Sequence, residues 1–188
     1  MGDIGTHAEN LAEYITALRI ARLCADLTTF VPGRRLDDDG NVLLQFENGA
    51  RGVLYASQVS IAEENDLRIR VYGDRGGLEW RQQEPNTLTL KWPDRPGETV
   101  RTAGPTLSAA ATFNTRLPMG HPEGFIEAFA NLYRNFALTL DQRLGDADST
   151  PEYLDFPSVH DGVRGMAFIQ AVVQSAASDQ KWTEVERS

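Results

Sequence analysis

The sequence predicts an α+β fold: a large, mostly antiparallel open sheet with helices packed on one face. Two observations carry this. Short runs of alternating apolar and polar residues follow one another through the middle of the chain, joined by tight turn signals. Stripes of helical spacing come before and after them, rather than between them as in a parallel βαβ sheet.

His7, Leu11, Tyr14, Ile15 and Leu18 recur at the spacing of one helical face, so the chain is expected to open almost directly into a helix. From Ile20 to Val31 the residues suit a strand, which Pro32-Gly33 ends. Arg34 to Gly40, with Asp37, Asp38 and Asp39 in succession, reads as a solvated loop. Val42, Leu44 and Phe46 alternate, as do Val53, Tyr55, Ser57 and Val59, and the Asn48-Gly49 between them predicts a type I′ hairpin. Leu67, Ile69 and Val71, then Leu78 and Trp80 beyond the turn Gly73 to Gly77, then Leu88, Leu90 and Trp92, supply further strands, with a short edge over 98–102. The Ala-rich stretch 107–113 is helical, and Pro122 stands at the start of the most clearly patterned helix. Its stripe is Phe125, Phe129, Leu132, Phe136 and Leu140, and Gly145 with the acidic turn Asp146-Ala147-Asp148 ends it. Ser158 and Asp161 have capping-box spacing and open a last helix with the face Gly162, Met166, Ile169, Val173 and Ala176. Trp182 is expected to pack on the sheet. Residues 1–188 read as one domain, without internal repeats.

The bulk properties narrow the function. A chain of 188 residues, 41% hydrophobic, can bury a sizeable core. Its net charge of −9 argues against a nucleic-acid partner, since phosphate binding needs clustered Lys and Arg. Cys24, the single cysteine, reads as a buried structural thiol. With no apolar run long enough for a membrane span and no signal-peptide pattern at the start, the expectation is a cytoplasmic protein with no membrane contact.

Three histidines, His7, His121 and His160, each stand at or just before an expected helix start. The partial positive charge of a helix N-terminus favours a neutral imidazole, which leaves a nitrogen able to accept a proton. His7 is thus a candidate general base. Asp3, four residues earlier, can cap the helix or orient the ring. Nothing elsewhere completes a metal site around them, so no metal is expected. Arg116 and His121 flank Pro118 and Gly120 and are candidates for a substrate pocket, while His160 reads as a surface cap.

Five segments occur in a telling order: Gly2-Asp3-Ile4-Gly5-Thr6-His7-Ala8, the hairpin, Val71-Tyr72-Gly73 with glycines following, His121-Pro122-Glu123-Gly124-Phe125, and Asp155-Phe156-Pro157-Ser158-Val159-His160-Asp161-Gly162. This order resembles the C-terminal domain of the Gfo/Idh/MocA family, the glucose-fructose oxidoreductases and inositol dehydrogenases, over nearly the whole chain. The resemblance implies NAD(P)-dependent hydride transfer at a hydroxyl of a sugar or polyol. It also implies His7 as catalytic base, Asp3 as partner of His7 or substrate, and a homodimer or homotetramer formed through the outer face of the sheet.

The sequence departs from the family in one respect. It has no Gly-x-Gly-x-x-Gly after a strand, no acidic ribose-binding residue in a βαβ context, and no Glu-Lys-Pro segment to supply the usual lysine. The expectation is that the N-terminal Rossmann domain is absent and that NAD or NADP is bound mainly by that half in the intact protein, so no cofactor-binding residue is assigned here. Two rival readings are a stand-alone, non-catalytic module for oligomerisation or ligand binding, and a metal-dependent enzyme built on Asp3, His7 and another histidine.

Overall fold

A computed structural model describes residues 1–145, 151 and 153–186. The described residues form α1 (Gly5–Thr16), β1 (Ile20–Thr28), β2 (Asp39–Phe46), β3 (Arg51–Ser57), β4 (Arg68–Tyr72), β5 (Gly77–Arg81), β6 (Thr87–Lys91), β7 (Glu98–Arg101), α2 (Ala109–Phe113), α3 (Phe125–Leu144), α4 (Val159–Ala176) and β8 (Thr183–Glu184). The fold is α+β with antiparallel pairing, and the strands divide between two four-stranded sheets, β3-β2-β1-β8 and β4-β5-β6-β7. The chain falls into two compact units, residues 1–69 with 158–188, and residues 70–157.

In the first unit the alternation of β1 to β3 sorts side chains by face. The register pairs Leu23 with Leu44, Ala25 with Val42, and Val42 with Leu54, so these residues share one face. That face meets Phe168, Ala171 and Val172 of α4, and together they form the core. Each such buried side chain stabilises the fold by about 1.5–3 kcal/mol. Helices α1 and α4 pack against strands of this sheet and against each other. The opposite face carries Cys24, Leu43 and Val53 in one row and Asp26, Asn41 and Tyr55 in the next. Leu43, Val53 and Tyr55 are exposed there, and Cys24 is half-buried rather than buried as expected.

The Asn48-Gly49 hairpin forms with a different turn from the one expected. Only Gly49 has positive φ, at 92°, and its N–H donates to the Phe46 carbonyl at 2.9 Å. Asn48 keeps negative φ, and its side-chain oxygen accepts the Ala50 N–H at 3.0 Å, so a longer loop ending in a left-handed glycine replaces the two-residue type I′ turn. The expected solvated loop also differs. Asp38 is buried, and its carboxylate accepts the N–H groups of Phe30 at 2.7 Å and Val31 at 3.0 Å, with Arg34 at 3.2 Å. These donors, Phe30 first, hold its carboxyl below the usual carboxylate range.

The helices form where expected, but their buried faces are not the apolar stripes. In α1 the buried residues are Gly5, Glu9 and Glu13, with Tyr14 and Ile15 exposed. In α4 they are Arg164, Phe168, Ala171, Val172 and Ser175, with Met166 and Val173 exposed. The physical reason is an ion cluster between the two helices. The Arg164 guanidinium meets Glu13 Oε1 at 2.7 Å and also donates to the carbonyls of Ile20 at 2.6 Å and Glu186 at 2.9 Å. Glu13 further accepts from Arg19 at 2.7 Å and from the Ile20 N–H at 2.7 Å. Ser158 and Asp161 form the expected cap, with the Ser158 N–H and hydroxyl each donating to Asp161 at 2.7 Å. Arg22 stacks over the Trp182 ring beside β8, which places Trp182 on this sheet's edge.

In the second unit, β5 pairs with β6 and β6 with β7, setting Leu78 opposite Leu90 and Trp80 opposite Leu88. Helix α3 runs to Gly145 as expected but starts at Phe125 with Gly124 before it, so Pro122 lies outside it. Its stripe, Phe125, Phe129, Leu132, Phe136 and Leu140, is exposed, and the buried positions are Asn131, Asn135 and Thr139. The acidic turn expected at 146–148 lies outside the described residues.

Glu9 lies beside Glu13 with its Oε1 4.0 Å from Arg164 Nε and without a hydrogen bond to that oxygen. Burial, then the neighbouring Glu13 charge, pushes its carboxyl up to about 7 from 4.5. A folded-state value above the unfolded one makes Glu9 cost stability as pH rises from about 4.5 through about 7. Glu13 is shifted down by its donors against the opposing effect of burial, so its contribution is lost as pH falls below 4.5. Urea unfolding across pH 5 to 8 should show declining stability in the parent. In Glu9→Gln the decline should be largely absent, with a gain of about 2–3 kcal/mol at pH 8.

Candidate functional site

Asp3 and His7 belong to the first unit, and the start of α1 positions both. Gly5 and Gly40 leave no room for a Cβ beside the buried Met1 side chain, so this segment lies close on β2. The helix begins at Gly5 after Ile4, with no side-chain cap. Asp3 therefore does not cap α1, contrary to the simplest reading of its spacing. Its carboxylate instead accepts from Gln58 Nε2 at 2.7 Å, and its carbonyl accepts from the Thr6 hydroxyl at 3.3 Å. His7 is the third helical residue and is exposed. Asp3 and His7 share the helix start, and no hydrogen bond joins them among the described residues. In this arrangement the imidazole is exposed, and the Asp3 carboxylate is held by a neutral amide.

Gln58 was not singled out from sequence because it falls between Ser57 and Val59 of an alternating run with nothing to mark it. Its backbone N–H donates to the Asp38 carbonyl at 2.8 Å, which ties it to the anchored corner around that buried aspartate.

Arg116 and His121 belong to the second unit and share the segment between α2 and α3. Glu123 shapes this segment: its Oε1 accepts the N–H groups of Arg116 at 2.7 Å and Leu117 at 2.6 Å. Asn86, nearly buried, grips the Glu123 main chain, accepting its N–H at 3.0 Å and donating to its carbonyl at 2.7 Å. Arg116 Nε donates to Asn131 Oδ1 at 2.7 Å, and the His121 ring approaches the Pro118 carbonyl at 3.2 Å. Both side chains are exposed, and the loop that carries them is braced by main-chain bonds. The bracing residues Asn86 and Asn131 carried no signal in the sequence, because a lone asparagine is as common in turns as in networks. His160, at the second position of α4, is exposed.

Among the described residues no group of three or more His, Cys, Asp or Glu is placed to hold a metal ion. No helix is long and apolar enough to cross a membrane. The paired strands are antiparallel, so the described residues build no βαβ cradle for a dinucleotide.

Comparison with known proteins agrees with this arrangement. A sequence profile of the GFO/IDH/MocA C-terminal domain matches residues 1–79. The uncharacterised oxidoreductase YfiI of Bacillus subtilis is 32% identical over 98% of this chain, which spans 47% of that protein. An oxidoreductase from Sinorhizobium meliloti superposes with a TM-score of 0.87 at 41% identity, over 96% of this chain and 50% of its own. An inositol dehydrogenase homologue from Azotobacter vinelandii, in complex with NADH and myo-inositol, superposes with a TM-score of 0.87 at 33% identity, over 97% of this chain and 48% of its own. The chain thus spans about half the length of the relatives it matches. With its antiparallel α+β architecture, the chain is thus similar in sequence and fold to the C-terminal domain of the GFO/IDH/MocA oxidoreductases.

Proposed function

We propose that residues 1–188 work as the substrate-binding domain of an NAD(P)-dependent oxidoreductase acting on a hydroxyl of a sugar or polyol, with His7 as general base. The observation that carries this reading is the start of α1, where an exposed imidazole stands one turn from a carboxylate fixed by Gln58. The myo-inositol and NADH held by the Azotobacter vinelandii relative support the polyol and the cofactor.

The cofactor supplies the hydride acceptor, and a nucleotide-binding half joined to this chain would hold it, since the described residues form no βαβ cradle. This chain's share is proton handling and placement. His7 takes the hydroxyl proton as the alcohol is oxidised and returns it in the reverse direction. Asp3 accepts a hydrogen bond from a substrate hydroxyl or from the His7 ring. A cytoplasmic setting accompanies this reading.

Assembly belongs to the same proposal. The outer face of the first sheet exposes Leu43, Val53 and Tyr55 in adjacent rows, an apolar patch of the kind that marks a protein interface. A second copy covers it in a homodimer or homotetramer.

Two outcomes are expected. In the protein that joins this chain to its nucleotide-binding half, His7→Gln lowers kcat for polyol oxidation by about 100-fold or more; unchanged turnover removes the base from His7. In sedimentation velocity, Val53→Glu shifts the oligomer toward monomer at micromolar concentration, while its melting profile keeps a single cooperative transition.

A further inference from the structure

We propose that Gln58 is a second substrate-binding residue of the Asp3 site: its amide N–H holds the carboxylate, and its carbonyl oxygen accepts a hydrogen bond from a neighbouring hydroxyl of the same polyol. This rests on the reading of Asp3 and His7 as the polyol-binding end of the chain.

Gln58 follows directly on β3, and its main-chain N–H is fixed to the Asp38 carbonyl. Asp38 is itself buried and held by Phe30, Val31 and Arg34. The backbone of Gln58 thus stands on a rigid corner, while its side chain is exposed and reaches across 55 positions of sequence to Asp3. An exposed hydrogen bond of this kind adds little to stability. What it does is fix where a carboxylate stands.

The remaining hydrogen-bonding capacity of the pair is informative. A glutamine amide has two N–H donors and one carbonyl acceptor, and an ionised carboxylate only accepts. With one N–H committed to Asp3 Oδ2, Gln58 keeps its Oε1 and a second N–H, and Asp3 keeps Oδ1. Two acceptors and one donor therefore lie side by side at the start of the helix that carries His7. Adjacent hydroxyl groups both donate and accept, so a vicinal diol can use the whole set, whereas a lone hydroxyl uses only part of it. The orientation is already fixed before a ligand arrives, which lowers the ordering cost of binding.

The test uses the protein that joins this chain to its nucleotide-binding half, with NAD+ present and myo-inositol as the probe. The polyol dissociation constant is read by calorimetry and kcat by steady-state kinetics. Gln58→Leu and Gln58→Glu are each expected to raise the dissociation constant about tenfold or more, the loss of one good hydrogen bond. The glutamate variant is nearly isosteric and sits at an exposed position, so it keeps the fold, and its like charge facing Asp3 should make it the worse binder. His7→Gln should do the reverse, losing kcat while keeping affinity. An unchanged dissociation constant in both Gln58 variants, alongside a raised one in Asp3→Asn, overturns the role of Gln58. If His7→Gln keeps full turnover, the base assignment fails, yet the affinities of the Gln58 variants still decide this inference. A parent protein that binds no myo-inositol counts against both.

Discussion

Much of the first unit depends on one buried guanidinium. Arg164 of α4 reaches Glu13 of α1, the carbonyl at the start of β1, and the carbonyl of Glu186 beyond β8. It thereby ties two helices and two strands through groups that would be costly to bury alone. The arrangement suits position better than stability. A well-packed hydrophobic substitute for a buried ion pair is often as stable, but it does not fix direction in the same way, because a forked donor accepts only a narrow set of geometries. The consequence is felt at the other end of α1, where Asp3 and His7 stand. The helix that presents His7 is registered on the sheet by its first turn, through Gly5 against Met1, and by its last turns, through Glu13 against Arg164. Glu9, sharing the same pocket of charge without a donor on its Oε1, carries the cost as a carboxyl that ionises only near neutrality.

This cluster also explains what the sequence conveyed and what it hid. The positions of strands and helices along the chain were legible, because alternation and turn chemistry act over a few residues. The buried faces of the helices were not. An apolar stripe marks the buried face only when the partner surface is apolar. In α1 Glu9 and Glu13 occupy inner positions, and in α4 Arg164 is buried alongside Phe168, Ala171 and Val172, because Glu13 and Arg164, 151 positions apart, are partners. In α3 asparagines take the inner positions for a related reason: Asn131 and Asn135 bond Asn114 and the main chain near it and at Asp155. Asp38 shows the same effect on a smaller scale. Three aspartates in a row look solvated, yet the middle one closes a turn by accepting two N–H groups.

The candidate site was legible in part. Asp3 and His7 could be found because four-residue spacing at a helix start brings side chains into one neighbourhood. Gln58 could not, since its place beside Asp3 comes from the path of β3 and the corner at Asp38. Glu123 stood inside a segment that was recognised, but its work on the Arg116 and Leu117 N–H groups depends on a loop geometry that sequence does not encode in short patterns. The polar groups proposed to bind a polyol are thus presented by anchored elements of one unit, a helix start and a strand end. Such support is what precise placement of a reacting hydroxyl requires.

The central claim is a division of labour, in which this chain handles the substrate and its proton while the dinucleotide is held elsewhere. Calorimetric titration of NADH tests it most directly, first into this chain alone and then into the same chain joined to its nucleotide-binding half. The account predicts saturable binding to the joined protein and none to the chain alone. Stoichiometric binding to the chain alone would contradict it, since a dinucleotide site would then exist on antiparallel sheets that offer no cradle for one.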